Sequence, residues 1–519
     1  MALLRRVDSN SSEDTLVDPC RRPLERPLGD TEASYFLPSR ESGVNDMYLH
    51  LGLRSPPQVM RRSRVALVWS ILRLRHPLLA ARVQMHDYND IRFVYAAPEC
   101  VTDAVKSADD NLEYRSQSKD ELIDTYLNGP RILSNERLSY LVVSQSEPIN
   151  APAAKEETNI RDYDMLICAT HFLGDGMALH QFANDFFGLL GSGSADEDLE
   201  VMLTDEWYSR WGGKKDDISG LPSSLEDRLP PMAAGNFRSA AAQVDFQTNQ
   251  SKLIGGHSFP RRSGKARRTI VPTVAIDAER TKLILKKCKA HSVSISSALF
   301  AICNIAWAKT HDQNWELPTM MYSALNLRSV LTASKAFNDS YWYLAIGYFN
   351  VVLPAFLPKS GSDSDIEKTF WHRARVAKNQ STRAAKSSML VSRSYQMAKE
   401  RGKRARSWAR EDDEKARGTW MAPPPRSAPS SANKTPSVAL IGLSLLGNLD
   451  GIYKHANFPS IQLHSLTTGS RQRAGGMLLF GYTFVGKLWI SLGYDEAGFD
   501  DTVERFWDNL LTSVDTLLA

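Results

Sequence analysis

His171, Asp175 and Gly176 fall in the stretch His-Phe-Leu-Gly-Asp-Gly, a spacing that can set one imidazole and one carboxylate on a sharp turn. A neutral imidazole, with an ordinary pKa of about 6.5, can take a proton from a hydroxyl and so activate it as a nucleophile. A histidine beside an apolar strand is more often a packed structural residue, so its setting has to decide. Residues 165–169, Met-Leu-Ile-Cys-Ala, form an apolar run suited to a strand buried on both faces. Gly174-Asp175-Gly176 then turns the chain. Met177, Leu179, Phe182, Phe186, Phe187 and Leu190 recur at helical spacing, with Gly188 and Gly191 as stops. An imidazole at a strand end, beside a glycine turn, has backbone support and stays accessible, as a general base must. His180 lies on the helix itself and is read as a packing or hydrogen-bonding residue.

That strand, turn and helix need a larger frame, and other stretches suggest which one. His171-x-x-x-Asp175-Gly176 resembles the HxxxDG motif of acyltransferases that share the chloramphenicol acetyltransferase fold. These include peptide-synthetase condensation domains, plant BAHD enzymes, polyketide-associated acyltransferases and fungal trichothecene O-acetyltransferases. Arg75-His76-Pro77-Leu78-Leu79 resembles the RHPxLR signature of condensation domains, whose histidine is structural. Asn326-Leu327-Arg328 resembles the Asn/Asp-Leu-Arg that supplies the arginine partner of the motif aspartate, and Leu446-Gly447-Asn448-Leu449-Asp450 resembles the S-x-LG-x-x-D turn of condensation-type and fungal acetyltransferases. The resemblance spans about residues 26–519, and the long chain with its Leu-Pro-rich linker looks most like the trichothecene 15-O-acetyltransferase branch. One departure stands out: where plant enzymes carry DFGWG, this chain reads Leu-Phe-Gly-Tyr-Thr-Phe-Val-Gly-Lys-Leu-Trp, so plant-type substrates are not implied.

The resemblance implies an α/β (α+β) fold of two chloramphenicol acetyltransferase-like halves, each a mixed sheet flanked by helices, with an active-site tunnel between them. It implies transfer of an acyl group, acetyl in the first instance, from acyl-CoA as co-substrate to a hydroxyl of a small apolar secondary metabolite such as a terpenoid alcohol. His171 is then the base. Asp175, beside Gly176, orients the loop and pairs with Arg328, next to Asn326. The donor for the oxyanion stays open among Gly447 and Asn448 and the hydroxyls of Ser465, Thr467 and Thr468. Arg261, Arg262, Lys265, Arg267 and Arg268 read first as a solvated tether and second as a basic rim for CoA phosphates. Two rivals are a condensation-type N-acyltransferase using carrier-protein thioesters, and a binding protein with a degenerate site.

Composition narrows the classes. A chain of 519 residues is long enough for two domains. Its hydrophobic content of 42% and charged content of 24% are those of a globular protein. A net charge of +4, from 63 basic and 59 acidic residues, argues against nucleic acid as a partner. No apolar run approaches the roughly 18 residues of a membrane span, and the first residues lack the apolar core of a secretion signal. Cys20, Cys100, Cys168, Cys288 and Cys303 show neither metal spacing nor a disulfide framework. A cytoplasmic monomer without a bound metal is expected.

Periodicity and turn residues divide the chain into a disordered segment at 1–25, a first half at 26–200, a crossover linker at 201–268 and a second half at 269–519. Residues 33–53 read as a strand or loop entry, residues 364–400 as an interrupted helix, and about 401–436, rich in charge and then in proline, as an exposed flexible insertion. Strands at 461–466, 476–483 and 487–492 are expected to close the second half, followed by a helix at 502–518.

Overall fold

A computed structural model describes residues 23–145, 160–212, 220–232, 235–311, 313–332, 340–422 and 436–518. Its two main sheets each serve one lobe. The first has five strands in the order Gln462–Ser470, Met47–Ser55, Arg161–Ala169, Ser139–Ser144, Leu112–Arg115. Alternation along Met47–Ser55 explains its place: Met47, Leu49, Leu51 and Leu53 point into one core and Tyr48 into another, so both faces are covered. Arg161–Ala169 is the central strand, antiparallel to both neighbours, with Ala169 opposite Met47 on one side and Ser139 on the other. Helices Arg62–Arg75 and Gly176–Leu190 lie on this sheet and contribute Val65, Val68, Ile71, Leu72, Phe182 and Phe186 to the larger core.

The second sheet is built around the path Thr273–Ile276, Lys487–Asp495, Met477–Phe484, Ile441–Asn448, Thr319–Asn326, Ile346–Leu353, with Thr269–Ile270 beside Lys487–Asp495. It mixes parallel and antiparallel pairs. Helices Ala278–Ala290, Ile295–Thr310, Asp363–Ala385 and Thr502–Leu517 accompany it. Ile295–Thr310 is apolar nearly all round and almost wholly buried, which suits a helix enclosed by sheet and neighbours. Among the described residues no single helix is long and apolar enough to cross a membrane.

Several expectations need correction. Gln462–Ser470 does not join the second lobe's sheet. It crosses to the first, pairing antiparallel with Met47–Ser55 from Gln462 opposite Arg54 to Ser470 opposite Met47. Residues 30–39 form a helix, Asp30–Ser39, that accommodates Pro38 near its end, before the strand begins at Met47. The crossover region carries helices Asp196–Trp207 and Asn236–Ser251, the latter tied to the second lobe by Asp245 and Arg393 at 2.7 Å.

The most consequential correction concerns the insertion. Residues 401–416 belong to a continuous helix, Leu390–Ala416. Its small residues Ala398, Gly402, Ala405 and Ala409 recur at helical spacing and are buried. That stripe packs against Asp30–Ser39, where a Cβ on Gly402 would come within 2.5 Å of Asp30. Arg406–Asp30 at 2.6 Å and an Arg40–Asp413 ion pair fasten the two helices. Lys415 and Glu411, four residues apart and 2.7 Å away, support its exposed face. Residues 423–435 of the expected insertion, and residues 1–22 of the expected disordered segment, lie outside the described residues. Leu24–Pro27 is a strand, paired with Ile91–Tyr95.

Candidate active site

The central strand Arg161–Ala169 ends two residues before His171, which stands half-buried at the mouth of the turn. Its Nδ1 lies 3.1 Å from the carbonyl oxygen of Gly174. A carbonyl only accepts, so Nδ1 carries the proton and Nε2 is left with its lone pair. Burial pushes the His171 pKa below the usual histidine value, and Arg401 adds to that push. The Gly174 carbonyl and the Asp175 carboxylate partly oppose it. The imidazole is thus held neutral, in one tautomer, at a fixed angle. Its ring stacks on Tyr35, with centroids 4.2 Å apart and planes 26° from parallel.

Asp175 is buried and engaged by the structure around it. It caps helix Gly176–Leu190, with Oδ1 accepting from the backbone N–H of Met177 at 3.0 Å and of Ala178 at 3.1 Å. The same carboxylate receives both contacts of Arg328 Nη1, at 2.8 Å each. Oδ2 also accepts from the Ala345 N–H at 2.9 Å. Arg328 completes its set with the Tyr341 and Tyr343 carbonyls, both at 3.2 Å. Asn326 accepts from the Arg328 N–H at 3.0 Å and shapes the turn that presents it. The Asp175–Arg328 pair therefore joins the first lobe's turn to the second lobe's strand end. Trp342 closes the joint: it is fully buried, and a Cβ on Gly174 would meet its ring at 2.8 Å. Only glycine leaves that indole room.

Gly176 lies against the side chain of Leu446, 3.3 Å from where its Cβ would be, which brings the Gly447-Asn448 turn beside the start of the helix. Gly447 sits at a bulge in strand Ile441–Asn448 with φ +74, a left-handed conformation that favours glycine. Asn448 Oδ1 accepts from Thr483 at 3.2 Å. Ser465 does not join His171. Ser465 pairs with Gly52, which faces Asp164, five residues before Ala169 and so roughly 17 Å down the sheet. Thr468 donates its hydroxyl to the Tyr48 carbonyl at 3.0 Å. Thr467 is buried opposite His50.

The basic cluster divides. Arg267 donates to the Gln472 carbonyl at 3.2 Å. Gln472 follows Ser470, which pairs with Met47, itself opposite Ala169, so Arg267 lies at the His171 end of the first sheet, two strands across. Arg268 is engaged by Glu496 at 2.9 Å and reaches Asp124 at 4.0 Å. Arg261 bridges to Phe499, the Arg262 N–H donates to the Gly498 carbonyl, and Lys265 is exposed.

The remaining histidines of interest are packed. His76 meets the Ser340 hydroxyl at 2.7 Å and His180 the Tyr453 hydroxyl at 3.0 Å. Burial pushes both down to about 3. Among the described residues no group of His, Cys, Asp and Glu could hold a metal ion.

With this geometry in view, comparison with solved structures places the architecture. The chain aligns with trichothecene 15-O-acetyltransferase from Fusarium sporotrichioides over 96% of both chains, with a TM-score of 0.71 at 14% identity. An epimerization domain from the third module of tyrocidine synthetase B aligns over 96% of this chain and 97% of that one, with a TM-score of 0.55 at 13% identity. Polyketide synthase associated protein 5 from Mycobacterium tuberculosis covers 94% and 98%, with a TM-score of 0.53 at 12% identity. The chain has a two-lobed condensation-domain fold. No family model and no curated protein sequence matches it.

Within that fold, three residues beside His171 carried no signal in the sequence. Tyr35 sits under the imidazole, its hydroxyl hydrogen-bonded to that of Tyr348. Arg401 lies over both rings, 5.3 Å from the Tyr35 centroid and 4.5 Å from that of Tyr348. They come from a helix read as a strand or loop entry, a second-lobe strand and a helix read in part as an insertion. Only the buried stripe Ala398, Gly402, Ala405, at helical spacing around Arg401, was available to suggest an ordered element there.

Proposed function

We propose that the protein is an O-acyltransferase that moves an acyl group, acetyl in the first instance, from acyl-CoA to a hydroxyl of a small secondary metabolite of the terpenoid-alcohol kind. The observation that carries the reading is the state of His171: neutral, half-buried, its Nδ1 proton committed to Gly174 and its Nε2 without a hydrogen bond among the described residues. In the proposed reaction Nε2 takes the acceptor's hydroxyl proton as that oxygen attacks the thioester carbonyl. The tetrahedral intermediate collapses with cleavage of the carbon–sulfur bond. The imidazolium then returns the proton to the departing CoA thiolate, so the histidine ends as it began. Asp175 takes no proton; it holds the turn through Arg328. The Gly447-Asn448 turn is the candidate source of an oxyanion donor, since it borders Gly176. Arg267, at the same end of the sheet as His171, is the member of the basic cluster best placed to meet a CoA phosphate.

A mass-spectrometric screen of acetyl-CoA with a panel of hydroxylated terpenoids tests the reading. An acetylated product is expected with wild type, and His171→Ala should lower its turnover by about 10²–10⁴-fold, the usual share of a positioned base. A well-folded variant with near-wild-type turnover would remove His171 from the chemistry. Arg267→Glu is expected to raise the KM for acetyl-CoA at low salt while leaving the acceptor KM in place; an unchanged KM would return the cluster to the role of a tether.

A further inference from the structure

Among the described residues, one charge beside His171 has no counter-charge. The guanidinium of Arg401 lies over the faces of Tyr348 and Tyr35. Its Nε is enclosed and has no hydrogen-bond partner, and among the described residues no carboxylate pairs with it. A guanidinium enclosed in this way ordinarily faces a carboxylate or phosphate, whose planar or tetrahedral oxygens match its fork of donors. The surrounding groups do not fill that role. Burial holds Tyr35 and Tyr322 above the usual tyrosine range, so their phenols stay neutral. Rings frame the guanidinium on two sides and the Tyr35 hydroxyl meets it as a neutral hydrogen-bond partner, which leaves the Nε donor unsatisfied.

The cage is built by separated elements. Tyr322 and Tyr348 project from the same face of paired strands, since Tyr348 is opposite Ala324, two residues from Tyr322. Gly442 on the next strand makes room for Tyr322, because a Cβ there would come within 2.3 Å of its ring. Arg401 comes from helix Leu390–Ala416 and Tyr35 from the helix packed against it. Tyr35 is at once a wall of this cage and the ring under His171.

We infer that Arg401, framed by Tyr35, Tyr348 and Tyr322, recognises an anionic oxygen group, carboxylate or phosphate, on one of the two molecules that meet at His171. The inference deepens the acyltransferase reading and rests on it for the identity of those two molecules, but anion binding can be measured without turnover. The group belongs either to the acceptor, which would then be a hydroxy acid rather than a wholly apolar alcohol, or to the CoA moiety.

The test follows the Arg401 Nε–H resonance in the full-length, nitrogen-15-labelled protein, assigned by its loss in Arg401→Gln. Sodium benzoate, inorganic phosphate and acetyl-CoA serve as probes, with methyl benzoate as the neutral control. A saturable shift with benzoate or phosphate, absent with methyl benzoate, is expected. Acetyl-CoA leaving the resonance in place would assign the anion to the acceptor; acetyl-CoA moving it would assign it to the donor. No shift with any of the three anions, or an equal shift with methyl benzoate, would overturn the inference and leave Arg401 as a clasp between helix and strand. Loss of anion response in Arg401→Gln with the melting temperature retained would separate binding from folding. A persisting anion response in a protein that transfers no acyl group would instead count against the acyltransferase reading and not against the site.

Discussion

An imidazole serves as a base only while one ring nitrogen stays unprotonated, and the surroundings of His171 work toward that end from two sides. The Gly174 carbonyl fixes the proton on Nδ1, and burial makes the charged ring costly. The sign of the effect is a test. A pKa lowered below about 6.5 means that His171 stays a competent base at pH values where an exposed histidine would already be charged. The acidic limb of kcat/KM against pH, once an acceptor is known, should therefore fall with an apparent pKa below the ordinary histidine value, and the limb should vanish from the residual rate of His171→Ala. A limb centred above that value would mean that a neighbouring carboxylate governs the ring more than burial does. His76 and His180 show the same physics without the accessible lone pair. Their pKa values near 3 mark residues that the fold keeps neutral for packing.

At the scale of elements, what holds the site is the joint between lobes. Asp175 caps one helix and Arg328 closes one strand, and their contact is partly buried, with side-chain exposures of 4% and 21%. Removing one partner leaves the other charge without compensation. Asp175→Asn and Arg328→Met are each expected to cost about 3 kcal/mol of stability. The double variant should cost less than the sum of the two, the mark of direct coupling in a double-mutant cycle; additive losses would mean that the two side chains do not communicate. The pair also shows what a sequence can carry. His171 and Asp175 stood out through a local strand-and-turn pattern, whereas the Asp175–Arg328 contact was expected only because Asn-Leu-Arg resembles a family motif. The helix boundaries at 62–75 and 502–517 follow equally local signals, a proline and an amphipathic repeat. The missed elements are those whose local composition pointed elsewhere. Residues 401–416 look like a charged loop until Ala398, Gly402, Ala405 and Ala409 are seen as one buried face. Gln462–Ser470 reads correctly as a strand, but nothing within it says which sheet it will join, because partner choice is settled by tertiary packing. Tyr35 could not be found at all from its neighbours in the chain, since its meaning comes from residues 136 positions away in His171 and further still in Tyr348 and Arg401.

Across the whole molecule, the buried histidines tie stability to pH. His76 and His180 are buried neutral in the folded state, while in the unfolded chain they would bind protons near pH 6.5. Their contribution is complete above that pH and is lost as pH falls toward the folded value, at about 1.4 kcal/mol per pH unit for each group. Denaturant midpoints measured from pH 7 to pH 5 should fall accordingly, and His180→Gln, which cannot take up that proton, should show a shallower decline. An unchanged slope would place the acid sensitivity elsewhere. The crossing strand Gln462–Ser470 has a consequence of another kind, in time. Strand Met47–Ser55 leaves the ribosome early, but the strand that covers its open edge is made only after a stretch of about 400 residues, roughly 20–80 s later at ~5–20 residues per second. Throughout that interval the nascent first lobe exposes a row of unpaired backbone groups to every other chain nearby, so the yield of native protein should depend on how fast the message is read and on which chaperones wait at the exit tunnel.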